Sequence, residues 1–355
     1  MTLLKKLIIT VLILVFALVG LSVKTFYDAG EFKEINPHFS GEVTTVAGVL
    51  SSEDITIHPP TGMAFISSDD RRAHWSGRRR SRQGAIWGLD LNSTDPQLVK
   101  LTADFPHQLN PHGIGLRATP DGDLSLLVVN HREEGHFVEI FDYREDKLVH
   151  RQSVSGALMH SPNDVIPVGP SAFYVTNDHG NATALGRMAE EYLQLARSYV
   201  LFYDGKSFRK VAEGLAYANG INISPDGRTV YVAATVGQKI YVYDRDLNTG
   251  DLMPRGRIEA GTGVDNIEID PKGDLWIGCH PKLLTFVKYS KDPQALSPSQ
   301  VIKVAQTSPG QYNVTEIYLD NGRPLSGSSV AAVFKDKLLI GSVFDERFLL
   351  CRLEK

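Results

Sequence analysis

The chain has 355 residues, 42% of them hydrophobic and 22% charged, the composition of a globular protein with a sizeable core. A formal net charge of −4 excludes a nucleic-acid binder, which needs a basic footprint. Two cysteines, Cys279 and Cys351, make no disulfide framework and leave the redox compartment unread.

The first predicted element is an apolar helix. Lys5 and Lys6 precede an unbroken, weakly polar to apolar run from Leu7 to Val23. At about 1.5 Å per residue that run spans about 25 Å, short but sufficient for a thinned or tilted membrane fit. The lysines favour the cytoplasmic side, which places everything after Lys24 outside, on the periplasmic or extracellular face. No small-x-small cleavage site follows, so residues 1–24 read as a signal anchor. A cleaved signal peptide, and hence a secreted protein, is the alternative. Sequons at Asn92, Asn181 and Asn313 are compatible with a secretory route and a glycoprotein.

Residues 25–50 read as a connecting segment and propeller entry, and residues 51–355 as one all-β domain. Val, Ile, Tyr and Phe alternate with polar residues along this stretch, and no Pro/Gly/Ser linker splits it. An arginine cluster interrupts it early: Arg71, Arg72, Arg78, Arg79, Arg80 and Arg82. That cluster reads as a solvated loop, with contact to a membrane surface or an anionic ligand as the other possibility. The main helix candidate in the body is 186–199, where Met188, Tyr192, Leu195 and Tyr199 fall at helical spacing.

Turn signals recur along the body. They begin at Pro59, Pro120, Pro167, Pro225, Pro271 and Lys335, and each precedes a short apolar strand. The spacing of these starts, 46 to 64 residues, is that of propeller blades, whose usual period is about 45–50 residues. Six copies predict a six-bladed β-propeller behind an N-terminal hydrophobic helix.

In a propeller the innermost strand of each blade lines the central channel. The residues opening those strands, just upstream of each turn, therefore gather at one end of it. They are Glu53-Asp54, His112-Gly113-Ile114, Asn163-Asp164, Asn219-Gly220-Ile221, Asp265-Asn266-Ile267 and Ser328-Ser329-Val330. Most carry oxygen donors, carboxylates and amides. A hard cation that takes 6–8 oxygens in irregular geometry fits them, so Ca²⁺ is expected. The competing reading is that these side chains merely satisfy strand-end backbone groups. His112 lies beside this set, and His131 ends the next strand of the same blade. An imidazole there can take a proton from water while a second orients or relays it. His179 and His280 sit at rim-like positions and read as pocket walls. No G-x-S-x-G elbow, H-E-x-x-H zinc motif or P-loop occurs.

Long segments then resemble one family, the paraoxonases, which are calcium-dependent lactonases and arylesterases on a six-bladed propeller. The matching segments include Asn110-Pro111-His112-Gly113-Ile114, Val128-Val129-Asn130-His131, Phe173 to His179, Ala218 to Gly227 and Gly273 to Pro281. The resemblance implies two calcium ions. Glu53, Asn163, Asn219, Asp265 and Asn266 would hold the catalytic one. Asp54, Asp164 and the Ile114 carbonyl would hold a structural one. It implies His112 and His131 as a catalytic dyad, an uncleaved N-terminus, and a mobile flap where this chain has its arginine-rich loop. It implies hydrolysis of a lactone or aryl ester, with organophosphates as a side activity. A non-catalytic calcium-stabilised propeller and a gluconolactonase-type sugar lactonase are the alternatives. In that family an early cysteine is joined to one in the last strand. Here Cys351 matches the late one and no early partner exists, so the ring is expected to close without that disulfide.

Overall fold

The computed structural model describes residues 2–75, 83–119 and 121–354. Arg78, Arg79, Arg80 and Arg82 of the basic cluster, and Pro120 of the second turn, lie outside the described residues. The body is a six-bladed β-propeller. Blades 1 to 5 each run outward in chain order as four antiparallel strands. Their innermost strands are Ser52–His58, Pro111–Ala118, Pro162–Pro167, Ala218–Ile223 and Gly263–Ile269. Blade 6 has Ser328–Phe334 innermost, then Lys337–Ser342 and Arg347–Leu353. Inner strands pack side by side in chain order, and that of blade 6 meets that of blade 1 to close the ring.

The stretch read as connecting segment and propeller entry, residues 25–50, supplies the closure. Gly41–Ala47 pairs along its whole length with Arg347–Leu353 as the outer strand of blade 6. His38–Phe39 adds a fifth strand to blade 5. Cys351 and Cys279 are both free and buried, and the residue paired with Cys351 across the seam is Val43.

Apolar side chains fill the space between blades. Between blades 3 and 4, Ile166, Tyr174, Val200 and Phe202 pack on Ile221, Val230, Val232 and Tyr243. The turns that repeat in the sequence are the hairpins joining first to second strands. Second strands therefore end beside the start of the inner strands, and helices inserted after them stand on that same face. These are α2 (Arg71–Trp75), α3 (Ala184–Tyr192) and α4 (Leu283–Lys291), in blades 1, 3 and 5.

The N-terminal helix α1 (Leu3–Asp28) runs four residues past Lys24, has no buried residue, and is long and apolar enough to cross a membrane. Its end is tied to the helical face. Lys24 Nζ donates to Gln194 Oε1 (3.2 Å), and the Ala29 carbonyl accepts from the Leu283 amide (2.9 Å). The Glu31 carboxylate caps α4 through the amides of Leu284 (2.8 Å) and Thr285 (3.0 Å).

The helix expected over 186–199 is shorter. α3 stops at Tyr192, Gln194 takes a positive φ of 54°, and Tyr199 belongs to the strand Ser198–Tyr203. Tyr199 is buried in the core between blades 2 and 3, so its match to the helical spacing is coincidental.

Candidate functional site

Every inner strand breaks register with its neighbour at one level. The shifts lie between Ser52 and Ile55, Pro111 and Ile114, Pro162 and Val165, Ala218 and Ile221, Val264 and Ile267, and Ser328 and Val330. A bulge frees consecutive residues from strict alternation and re-aims their side chains. Glu53-Asp54, Asn163-Asp164 and Asp265-Asn266 are the bulged pairs. Glycine supplies the clearance in blades 2 and 4. A Cβ at Gly113 would fall 2.4 Å from Asp164 Oδ1, and one at Gly220 would fall 2.5 Å from the Asp265 carbonyl.

Glu53, Asn163, Asn219, Asp265 and Asn266 are all buried, each at most 5% exposed. Each is held by one side of its head group. Asn266 Nδ2 donates to the Glu53 carbonyl (3.0 Å) and to Glu53 Oε1 (3.1 Å). Asn219 Nδ2 donates to Thr235 Oγ1 (3.0 Å), and Asn163 Nδ2 to Asp178 Oδ2 (3.2 Å). Asp265 Oδ2 meets His280 Nε2 at 2.9 Å. Asn163 Oδ1, Asn219 Oδ1, Asp265 Oδ1 and Asn266 Oδ1 have no hydrogen-bond partner, and Glu53 Oε2 faces only the Arg71 guanidinium. An orphaned buried acceptor costs about 1–3 kcal/mol, so four from three strands in phase, beside the Glu53 carboxylate, favour a cation. Among the described residues no three His, Cys, Asp or Glu side chains are gathered as for a metal. The set is amide-rich, with three asparagines, which suits a hard oxygen-seeking ion.

Asp54 and Asp164 lie deeper. Asp54 accepts from the amides of Ile55 (2.9 Å) and Ile114 (2.7 Å). Asp164 accepts from Val165 and Ile221, both at 2.7 Å. Burial first, and then the neighbouring carboxylates Glu53 and Asp54 respectively, push both well above the usual carboxylate range. Asp54, Ile114 and Asp164 line a central cavity of about 360 Å³. Buried carboxylates with raised pKa values either bind a proton or a cation.

His112 faces the first set. Its Nε2 is 3.5 Å from Glu53 Oε1, and its Nδ1 is 2.9 Å from His131 Nε2. Burial raises Glu53, but the Arg71 guanidinium, then His112 and the Asn266 hydrogen bond, outweigh it and hold the carboxyl down to about 2. Arg71 Nη2 is 3.3 Å from Glu53 Oε2, with the side chain 9% exposed. Its neighbour Arg72 fastens α2 to α4, donating to the Tyr289 carbonyl (2.9 Å) with its guanidinium 4.4 Å from the Tyr289 ring centroid. For these two arginines the solvated-loop reading does not hold.

The structure thus brings together Glu53, Asn163, Asn219, Asp265, Asn266, His112 and His131, with Asp54, Asp164 and Ile114 beneath them. Sequence reasoning missed Asp178 and Thr235, which hold them, and read His280 as a pocket wall. Asp178, Thr235 and His280 all stand at the ends of second strands, beside the inner-strand residues they support, as His131 stands beside His112. Antiparallel register was the signal that could have found them. Asp178 also accepts from Ser161 Oγ and meets His179 Nδ1 at 2.6 Å, so His179 supports the site rather than walling it.

Comparison with known proteins gives the family and the fold. The arylesterase family model matches residues 32–353. Serum paraoxonase/arylesterase 1 of Homo sapiens is 39% identical over 330 residues, covering 90% of this chain and 91% of that protein. Serum paraoxonase/lactonase 3 of Homo sapiens is 37% identical over 308 residues, covering 85% and 86%. Among solved structures, a luciferin-regenerating enzyme shares the fold with a TM-score of 0.55 at 13% identity, covering 88% of this chain and 95% of its own. The chain belongs to the arylesterase family, whose curated members carry the names paraoxonase, arylesterase and lactonase.

Proposed function

We propose that this protein is a calcium-dependent hydrolase of lactones and aryl esters. The observation that carries the reading is the set of four orphaned buried oxygens around the Glu53 carboxylate, beside the His112–His131 pair. Glu53, Asn163, Asn219, Asp265 and Asn266 would hold a catalytic Ca²⁺, and Asp54, Asp164 and the Ile114 carbonyl a structural one. The catalytic ion would supply Lewis-acid polarisation of the scissile carbonyl and stabilise its oxyanion. His112 Nε2 faces the cluster and takes a proton from the attacking water. His131 orients His112 through the 2.9 Å bond to Nδ1 and shares the resulting charge. Asn163, Asn219 and Asn266 present oxygens because their nitrogens are engaged elsewhere. Burial raises Asp265, which counts against its remaining a carboxylate unless a cation faces it.

The exposed α1, tied to the helical face, supports a membrane anchor with the propeller on the extracytoplasmic side. The three sequon asparagines are exposed, as glycosylation on a secretory route requires.

The test is hydrolysis of aryl acetates and of γ-, δ- and sugar lactones, with and without Ca²⁺. Activity abolished by a chelator and restored by Ca²⁺ is expected. Full-rate hydrolysis after complete chelation sinks the proposal, and turnover of sugar lactones alone would favour a gluconolactonase. His112→Gln is expected to lower kcat by about 10²–10⁴.

A further inference from the structure

The pair of His112 and His131 continues into a third histidine. His131 and His136 are directly paired residues on the second and third strands of blade 2. Their rings stand at 89° with centroids 4.9 Å apart, and His131 Nδ1 is 2.9 Å from His136 Nδ1. With the 2.9 Å contact from His131 Nε2 to His112 Nδ1, three imidazoles form one unbroken line from the cluster outward. His131 and His136 are both partly exposed, so the line ends at the surface.

Each contact in the line needs one donor and one acceptor. A bare His112 Nε2, which a base requires, leaves the His112 proton on Nδ1, donating to His131 Nε2. His131 then carries its proton on Nδ1, donating to His136 Nδ1, and neutral His136 carries its own on Nε2. The tautomer of His136 and that of His112 are therefore linked through His131.

We propose that His136 is the outer member of a three-histidine proton relay, fixing the tautomers of His131 and His112 and carrying the proton from the site to the surface. The proposal rests on the hydrolase reading above. When water attacks the acyl carbon, its proton goes to His112 Nε2. The His112 Nδ1 proton passes to His131 Nε2, and the His131 Nδ1 proton to His136 Nδ1. The positive charge then rests on His136, from which water or buffer removes one proton. A leaving alkoxide instead draws a proton from His112 Nε2, and the same line runs backward. Besides His131, the groups that bear electrostatically on His136 are Arg187 of α3, Asp178 and His112. Burial, then Arg187, lowers its pKa, which keeps the resting ring neutral.

Two measurements test the relay. In the full-length Ca²⁺-loaded protein, ¹⁵N NMR of ring-labelled histidine should find His136 and His112 in opposite tautomers, with protons on Nε2 and Nδ1 respectively. A proton on His136 Nδ1 overturns the proposal. In kinetics, His136→Phe should lose about tenfold in kcat at low buffer concentration, with recovery as free imidazole is added. A loss that imidazole does not restore, or no loss, also overturns it. Absence of esterase activity in the unsubstituted protein would instead defeat the hydrolase reading, and the NMR tautomers would still report on the relay.

Discussion

At the scale of single residues, the site is a set of head groups each tied down on one side. Thr235 shows how. Its hydroxyl accepts from Asn219 Nδ2 (3.0 Å) and donates to the Val264 carbonyl (2.7 Å), which fixes the orientation of the hydroxyl and the amide. Thr235→Val removes that acceptor and lets the amide turn its nitrogen inward. The expected outcome is a rise of about 10–100-fold in the Ca²⁺ concentration for half-maximal activity, read from a calcium titration. A second residue-scale prediction concerns His179, which is 6% exposed. Burial lowers its pKa, but Asp178 and Glu191 outweigh that and raise it from 6.5 to about 9. A raised folded-state pKa stabilises the protein fully below pH 6.5, and the contribution is lost as pH climbs through about 9. His179→Gln should lower stability at pH 6 by up to about 3 kcal/mol, and the gap from the parent should close by pH 10 in thermal melts. A gap that stays constant across that range would contradict the assignment.

At the scale of elements, the bulges do what regular strands cannot. Strict alternation sends adjacent residues to opposite faces of a sheet. In the inner strands the register shift lets Glu53 face the upper set while Asp54 bonds Ile114 in the next blade. The glycines beside the bulges are part of this device. Gly113→Ala would drive a methyl group onto Asp164, whose backbone Cα and Oδ1 both lie 2.4 Å from the Cβ position. Moving that backbone displaces the Asp54–Asp164 layer. The expected result is a destabilisation of about 1–3 kcal/mol in denaturant melts, together with weaker calcium binding. Helix propensity was the poorest guide at this scale. The spacing of Met188, Tyr192, Leu195 and Tyr199 fitted a helix, yet the last belongs to a strand because the core between blades 2 and 3 buries its ring.

At the scale of the whole molecule, stability depends on closing the ring and on neutralising its centre. The seam between Gly41–Ala47 and Arg347–Leu353 closes the ring through strand pairing alone. Val43→Cys places a thiol opposite Cys351, and oxidation should add about 2–4 kcal/mol that a reductant removes. No difference between oxidised and reduced melting temperatures would show that the seam geometry forbids the bond. The centre holds Glu53, Asp54, Asp164 and Asp265, all at most 3% exposed. Chelation should therefore lower the melting temperature as well as the activity, since an ion that binds only the folded state stabilises it by mass action.

The sequence by itself determined the blade count, the all-β class, the apolar N-terminal helix and the residues of the oxygen cluster. Those features are periodic or local: turns recur at blade spacing, and polar residues open each inner strand in phase with them. The family resemblance added the expectation of two ion sets. Tertiary structure decided the rest, because it depends on contacts between distant strands. It put residues 38–47 into blades 5 and 6, since an outer strand is chosen by its neighbour's free edge. It brought Arg71, twelve residues past the turn start at Pro59 yet within 3.3 Å of Glu53, into the site. It also set His136 against His131, a pairing fixed by hairpin register, and so extended two histidines to three.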